Sequence, residues 1–466
     1  MNSDDTEFQE LLKKVDSGFS WGVSSSALQT EGSYADDGKG LSIWDEFAKQ
    51  KRKINKGHHP FIATNFYSHY KTDIDLLSDL GIPNFRTSIS WARIFPAGHG
   101  KINHAGVDFY NKVFDYCLEK NITPWITIYH WDLPQKLQDK GGWKNRDIVS
   151  YFVDYVAFCA SVFGDRIKNW MVLNEPLVFT GAGYFLGVHA PGKKGLKNFL
   201  PALHHAAICQ AQGIKTIKHQ LKDANVGTTF SFSLIESHTE KEKDIKAAIK
   251  ADALVNRLFI EPLLGFGYPV SEIPFLQSIE NYMIAGDDKL LFQVPDFVGV
   301  QNYTREIVKH SFFTPYLNAK IVPAKKRNVP TTTMQWEIYP ESIYKILKKV
   351  ANYKLIKSII VTENGASFSD QILDGKINDE NRILFLKNYL TMCLKAKSEG
   401  VPLDGYFVWS ATDNFEWAEG YYPKFGLIHV DFDTQFRTIK NSGIWYKNVI
   451  KQAKSKEIVK EQPTFR

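Results

Sequence analysis

Lys168-Asn169-Trp170-Met171-Val172-Leu173-Asn174-Glu175-Pro176 is a short apolar run that ends on an amide, a carboxylate and a proline. Lys168 to Leu173 has the length and the apolar, partly aromatic content of a strand, and the residues after it read as a turn. Upstream, Asp147 to Phe163 shows helical periodicity, and downstream so does Pro201 to Leu221. Working outward, comparable runs occur at Phe19 to Val23, Ile82 to Ile89, Thr123 to Ile128, Asn225 to Phe230, Phe297 to Val300, Ser358 to Val361 and Gly405 to Val408. Amphipathic segments lie between them at Asn65 to Leu80, Ala105 to Glu119, Lys243 to Phe259, Ile338 to Val350 and Glu380 to Glu399. Eight strands alternating with helices predict an α/β fold: a single (β/α)8 TIM barrel with long βα loops forming the active-site mouth, residues 1–466 making one domain. A doubly wound dinucleotide-binding sheet is the rival. Its fingerprint is not met, because Gly181 and Gly183 are followed by Gly187, one residue late.

Of the 466 residues, 44% are hydrophobic and 23% charged, as in globular proteins, and no linker, low-complexity tract or repeat divides them. The net charge of +6 is scattered in short clusters such as Lys51-Arg52-Lys53 and Lys325-Lys326-Arg327, which speaks against a nucleic-acid partner. Ile148 to Phe163 is broken by Ser150, Asp154 and Ser161 and is too short to span a bilayer, so it reads as a helix with a buried face and no membrane partner is expected. Met1 to Gly18 has no apolar signal core, and Cys117, Cys159, Cys209 and Cys393 lie apart as buried free thiols. Both readings point to a cytoplasmic protein. The sequence does not specify the oligomeric state. The aromatic share of 14% exceeds what filling a core requires, so either the core is bulky or some rings face a ligand.

Barrels of this kind build their active sites at the C-terminal ends of the strands. The residues found there are Arg86, His130-Trp131, Asn174-Glu175-Pro176, Tyr303, Glu363-Asn364-Gly365 and Trp409-Ser410. Turn chemistry explains one such residue but not the whole set. Glu175 and Glu363 are the carboxylates among them. Alone, each reads as a surface or helix-start acid; together they suit glycoside cleavage, in which one carboxyl protonates the leaving oxygen and the other meets the anomeric carbon, with retention at a separation of roughly 5 to 5.5 Å. A serine hydrolase is not supported, since no G-x-S-x-G occurs. No metal site or cofactor is read either: His58-His59 and His204-His205 are poor chelators because adjacent side chains diverge, and they are expected at turns or on a helix surface.

The ordered blocks Phe19-Ser20-Trp21-Gly22, Ser26-Ala27-Leu28-Gln29-Thr30-Glu31-Gly32, Ser42-Ile43-Trp44-Asp45, Phe85-Arg86-Thr87-Ser88-Ile89-Ser90-Trp91, Tyr129-His130-Trp131-Asp132-Leu133-Pro134, Leu173-Asn174-Glu175-Pro176, Val361-Thr362-Glu363-Asn364-Gly365, Asp413-Asn414-Phe415-Glu416-Trp417 and Lys424-Phe425-Gly426 cover nearly the whole chain. They resemble glycoside hydrolase family 1, the β-glucosidase family. The resemblance implies that Glu175 is the general acid/base and Glu363 the nucleophile. It implies substrate contacts from Gln29, His130, Trp131, Asn174, Tyr303, Trp336, Trp409, Glu416, Trp417 and Phe425, with Arg86 and Tyr303 supporting the nucleophile. Amides, carboxylates and imidazole suit sugar hydroxyls, and indoles suit the apolar face of a pyranose. Trp21, Trp44, Trp91, Trp125, Trp143, Trp170 and Trp445 are expected to be packing residues.

The implied activity is hydrolysis of terminal non-reducing β-D-glucosyl residues by double displacement. The implied substrates are small β-glycosides, either cellobiose-type oligosaccharides or aryl and alkyl glycosides. β-Galactosidase or β-fucosidase activity and a 6-phospho-β-glycosidase are the alternatives, and a silent sugar-binding protein is a further one. Glu416 argues against a phosphorylated sugar, because it would repel a phosphate dianion. Where the family usually reads Asn-Tyr-Tyr, this chain has Gln301-Asn302-Tyr303, so a longer amide stands at the Asn position.

Overall fold

The computed structural model describes residues 3–455; residues 1, 2 and 456–466 of the expected 1–466 domain lie outside the described residues. Strands β1 (Ser20–Ser24), β2 (Asn84–Ser88), β3 (Thr123–Tyr129), β4 (Asn169–Asn174), β5 (Asn225–Ser231), β6 (Phe297–Gln301), β7 (Ile359–Asn364) and β8 (Leu403–Trp409) close in the order β1-β8-β7-β6-β5-β4-β3-β2. Every neighbouring pair is parallel. Each expected strand is one of these, displaced by at most three residues at either end. A helix follows each strand: α1 (Phe66–Asp79), α2 (His104–Glu119), α3 (Ile148–Phe163), α4 (Leu196–Gln220), α5 (Glu242–Asp252), α6 (Glu341–Ala351), α7 (Glu380–Ser398) and α8 (Asn441–Lys454). The fold is a (β/α)8 TIM barrel.

Because helices cover the outside and side chains fill the inside, both faces of the strands are buried, and their sequences read as apolar runs rather than alternations. Inside the lower barrel Trp125, Met171, Phe297, Ile360 and Phe407 form a separate apolar cluster. Trp125 meets Phe297 and Phe407, from strands that are not its neighbours, with ring centroids 5.7 and 5.1 Å apart. This plug closes the floor, and Arg86 rests on it with its Nε 3.2 Å from the Met171 sulfur.

Several expectations on the helices need correction. Lys243 to Phe259 is not one helix: α5 stops at Asp252, a wider π turn spans Ala253–Arg257, and a short helix follows at Ile260–Leu263. Asn256 explains the break, since its amide bonds both the N–H and the carbonyl of Ser233 beyond β5. Pro201 is not the start of α4, which begins at Leu196 and takes the proline into its second turn. α8 has no counterpart among the expected helices, yet its Tyr446 hydroxyl lies 3.0 and 3.1 Å from the carbonyls of Gly22 and Tyr406, clasping the β1–β8 seam. His204 and His205 do not face solvent. α4 is buried on nearly all sides, so His204 bonds Asp287 (2.8 Å) and His205 donates to the Trp143 carbonyl (2.8 Å). All four cysteines are buried and free, as expected.

Register shifts mark the ends of β4 and β7. They fall between Met171 and Asn174 in one strand and after Val361 in the other, immediately before the two candidate carboxylates. Such bulges re-aim side chains next to active sites. Gly365 fits the same tight corner: a Cβ there would sit 1.8 Å from the Trp409 carbonyl oxygen, so no larger residue is tolerated.

Candidate active site

Glu363 leaves the end of β7 into a set of donors of which Arg86 and Gln301 are fully buried and Tyr303 is half-buried. The Arg86 guanidinium pairs with its Oε1, Gln301 Nε2 donates to the same oxygen at 2.7 Å, and the Tyr303 hydroxyl donates to Oε2 at 2.5 Å. Burial raises the carboxyl's pKa above its ordinary value, but Arg86 and Tyr303 oppose that rise by stabilising the anion.

Glu175 stands in a different setting. It follows β4 in a left-handed conformation (φ 46°), one of three non-glycine pocket residues so placed, with Trp131 (φ 74°) and Trp417 (φ 48°). Strain of this kind costs of order 1–3 kcal/mol per residue and gathers at functional sites. Burial pushes Glu175 well up, the nearby Glu363 charge adds to the rise, and a hydrogen bond to Ser231 and the Arg86 charge only partly offset it. When the pair holds one proton, it therefore resides on Glu175. Such a pair can supply a proton and an anion to the same bond.

Asn174 ties several of these groups together. Its oxygen accepts from Arg86 (2.6 Å), Gln301 (2.8 Å) and Thr229 (2.9 Å), and its Nδ2 donates to His130 Nε2 at 3.0 Å. Burial holds His130 neutral, so its proton sits on Nδ1, which has no partner among the described residues. Trp131 is fixed by its indole N–H donating to the Asn174 carbonyl at 2.8 Å.

These groups open into a cavity of about 330 Å³ lined by His130, Trp131, Asn174, Glu175, Tyr303, Trp336, Glu363, Trp409, Glu416, Trp417 and Phe425. Two expected residues lie behind this lining. Arg86 is beneath Glu363, and Gln29 Nε2 donates to Asn414 (3.1 Å) and the Phe415 carbonyl (3.0 Å) while its Oε1 accepts from Ser26 (2.7 Å) and keeps a second lone pair for a hydroxyl donor. His130 is near-parallel to Trp417 and Trp409, and Trp44 supports Trp417 from behind with centroids 4.8 Å apart. Glu416 Oε2 is buried without a partner among the described residues, and burial followed by the Glu363 charge pushes the carboxyl up to about 8. Sugar hydroxyls would supply the missing donors.

The loop carrying Glu416 and Trp417 is anchored by Asp413, which accepts from Lys440 (2.8 Å), His429 (3.0 Å) and the Gly426 N–H (2.9 Å). Asp370, Asp413 and His429 are close enough to one another to resemble a metal site. Lys440 and Arg382 already neutralise these acids, so the cluster is an ion-pair network. Lys440→Met removes the buried cation paired with the fully buried Asp413 and is expected to cost about 3–5 kcal/mol in urea unfolding; a loss below about 1 kcal/mol would show that the network does not anchor the loop.

Sequence reasoning did not name Gln301 or Ser231 as site residues. Applying the strand-end rule one residue beyond the run Asn225 to Phe230 reaches Ser231, and one beyond Phe297 to Val300 reaches Gln301. His189, Thr304 and Met334 also line the cavity from loops, where periodicity gives no signal, and Glu306 lines it from the strand Arg305–His310 outside the barrel.

The model of the family described as glycosyl hydrolase family 1 matches residues 12–455. The chain is 44% identical over 445 residues to beta-glucosidase A of Thermotoga maritima, covering 94% of this chain and 98% of that protein. It is 34% identical over 457 residues to beta-glucosidase 42 of Arabidopsis thaliana, covering 93% of each. A solved structure of the family 1 β-glucosidase from Thermotoga maritima superposes with a TM-score of 0.91 at 42% identity, over 95% of this chain and 99% of that one. Matches of this extent, over a barrel with two buried carboxyls at its mouth, show that the chain belongs to glycosyl hydrolase family 1 and is a hydrolase of glycosidic bonds.

Proposed function

We propose that the protein is a retaining β-glucosidase that releases terminal non-reducing β-D-glucosyl residues from neutral β-glycosides, cellobiose-type oligosaccharides included, with residues 1–466 acting as one catalytic domain. The observation that carries this reading is the asymmetry of the carboxyl pair. Glu363 is clamped by Arg86 and Tyr303, while Glu175 has its proton favoured by burial and by the Glu363 charge. Glu363 attacks the anomeric carbon while Glu175 protonates the leaving oxygen. Esterification removes the Glu363 charge, the Glu175 pKa falls, and Glu175 then deprotonates the incoming water.

Gln29, His130, Asn174, Glu416 and Trp417 hold the glucosyl unit in this proposal, Trp131, Trp409 and Phe425 wall it, and Trp336 faces the leaving group. A cytoplasmic setting is supported by the four unpaired buried cysteines. A panel of p-nitrophenyl β-glycosides tests the sugar preference: kcat/KM should be highest for the glucoside and far lower for its 6-phosphate. A higher value for the 6-phosphate would overturn the reading. Glu416→Ala should lower kcat/KM on the glucoside about 100-fold, since a buried carboxylate's hydrogen bonds to substrate are worth roughly 1.5–3 kcal/mol each. A change below threefold would remove Glu416 from the sugar site.

A further inference from the structure

The loop that brings Glu416 and Trp417 to the cavity leaves it through Gly420 and Tyr421. A single peptide unit makes that exit. Its carbonyl, that of Gly420, accepts from the Glu416 N–H at 2.7 Å, and its N–H, that of Tyr421, donates to Nδ1 of His58 at 3.0 Å. Turning this peptide plane therefore acts on the Glu416 backbone directly. Gly420, at φ 62°, lies close against the imidazole: a Cβ there would meet His58 Nδ1 at 2.4 Å.

His58 follows the short turn Asn55–Gly57 and is half-buried. Its ring lies 5.2 Å from that of Tyr421, whose hydroxyl donates to the His59 carbonyl at 2.8 Å and whose ring packs on Phe432. The segment thus grips the loop exit at two points, of which only the imidazole contact depends on a titrating group. A backbone N–H can only donate, so Nδ1 must keep its lone pair; a proton there sets two N–H groups against each other. The surroundings keep the lone pair free. Burial lowers the His58 pKa below its ordinary value, and Lys56 and His59 on its own segment and Lys424 beyond the loop lower it further. Glu419, the acid on the loop itself, is exposed to solvent.

We propose that His58 is a positioning residue for the sugar-binding loop: its neutral imidazole holds the Gly420–Tyr421 peptide, and through it the Glu416 backbone, in the geometry that receives the sugar. The hold is intact while the ring is neutral and is lost as pH falls through the His58 pKa. The inference rests on the proposed placement of Glu416 and Trp417 at the sugar and adds a pH-sensitive support from outside the cavity.

The test compares kcat/KM on p-nitrophenyl β-glucoside for the wild type, His58→Phe and His58→Asn between about pH 8 and about pH 5, the range in which histidine titrates. Phenylalanine keeps a flat ring without an acceptor, whereas asparagine keeps an acceptor oxygen that does not titrate. Ratios between the enzymes cancel the titrations of Glu175 and Glu363, which all three share. At the alkaline end His58→Phe should stand about fivefold below the wild type, the worth of one neutral hydrogen bond, and His58→Asn within about twofold of it. As pH falls the ratio of wild type to His58→Phe should shrink toward one, and His58→Asn should overtake the wild type. A ratio of wild type to His58→Phe that stays constant over the range, or a His58→Asn variant that follows the wild type at every pH, overturns the proposal. Failure of the sugar-site placement would look different: Glu416→Ala itself would stay within about threefold of the wild type on the glucoside.

Discussion

Glu363→Ala is expected to lower kcat on p-nitrophenyl β-glucoside by roughly 10,000-fold or more, because the substitution removes the group that forms the covalent intermediate. The loss should be chemical rather than structural. Arg86 keeps its bond to Asn174 and remains above the plug of Trp125, Met171 and Phe407, so the barrel floor is not disturbed. Azide added to the variant occupies the space left by the carboxylate and should attack the anomeric carbon of an activated β-glucoside with inversion, giving the α-glucosyl azide. Hydrolysis at the wild-type rate without any azide adduct would remove Glu363 from the nucleophile's role.

The second large effect concerns Glu175. Glu175→Ala should reduce turnover of cellobiose by roughly 100- to 10,000-fold, the usual range for losing a general acid, while substrates with very acidic leaving phenols react nearly normally in their first step. The pH profile gives an independent check. The acid limb of kcat/KM follows ionisation of Glu363 and the alkaline limb follows loss of the Glu175 proton. Burial raises both groups, and the Glu363 charge raises Glu175 further. Glu175 therefore keeps its proton as pH climbs past the usual carboxylate range, and the alkaline limb should lie well above it. Glu175→Gln should abolish that limb and leave the acid limb in place. A uniform loss on every leaving group, with the alkaline limb unchanged, would mean that another residue is the acid.

Much of the fold was legible because a barrel strand buried on both faces is a compact apolar run, and Lys168 to Leu173 shows this plainly. Helix limits were less legible where side chains, rather than periodicity, set them. Asn256 breaks the segment after α5 by bonding the Ser233 backbone, a contact with no local signature. α8 is missed because much of its outward surface is polar, although Tyr446 binds the barrel seam. His204 and His205 illustrate the same limit: adjacent histidines look amphiphilic in sequence, and only the packing around α4 shows both to be buried and bonded.

At the site, the residues that stand on strand ends could be named from the chain, because the barrel brings every strand end to one mouth. Gln301 was noted only as a departure from the family pattern, yet its amide bonds both Asn174 and Glu363. Its role depends on side-chain length and on the position of β6, neither of which one sequence reports. Glu306 escaped for a different reason. It sits on a strand outside the barrel, in the small sheet formed by Leu234–Ser237, Arg305–His310 and Ala319–Ile321, which the βα alternation does not anticipate.

The most direct test of the proposed assignment is to trap the covalent intermediate. Incubation with a 2-deoxy-2-fluoro-β-glucosyl fluoride slows release of the glucosyl-enzyme, and the intact mass should rise by one fluoroglucosyl unit per chain. Peptide sequencing should then locate the ester on Glu363, in the segment Val361-Thr362-Glu363-Asn364-Gly365. An ester on any other residue, or inactivation without a covalent adduct, would contradict the account.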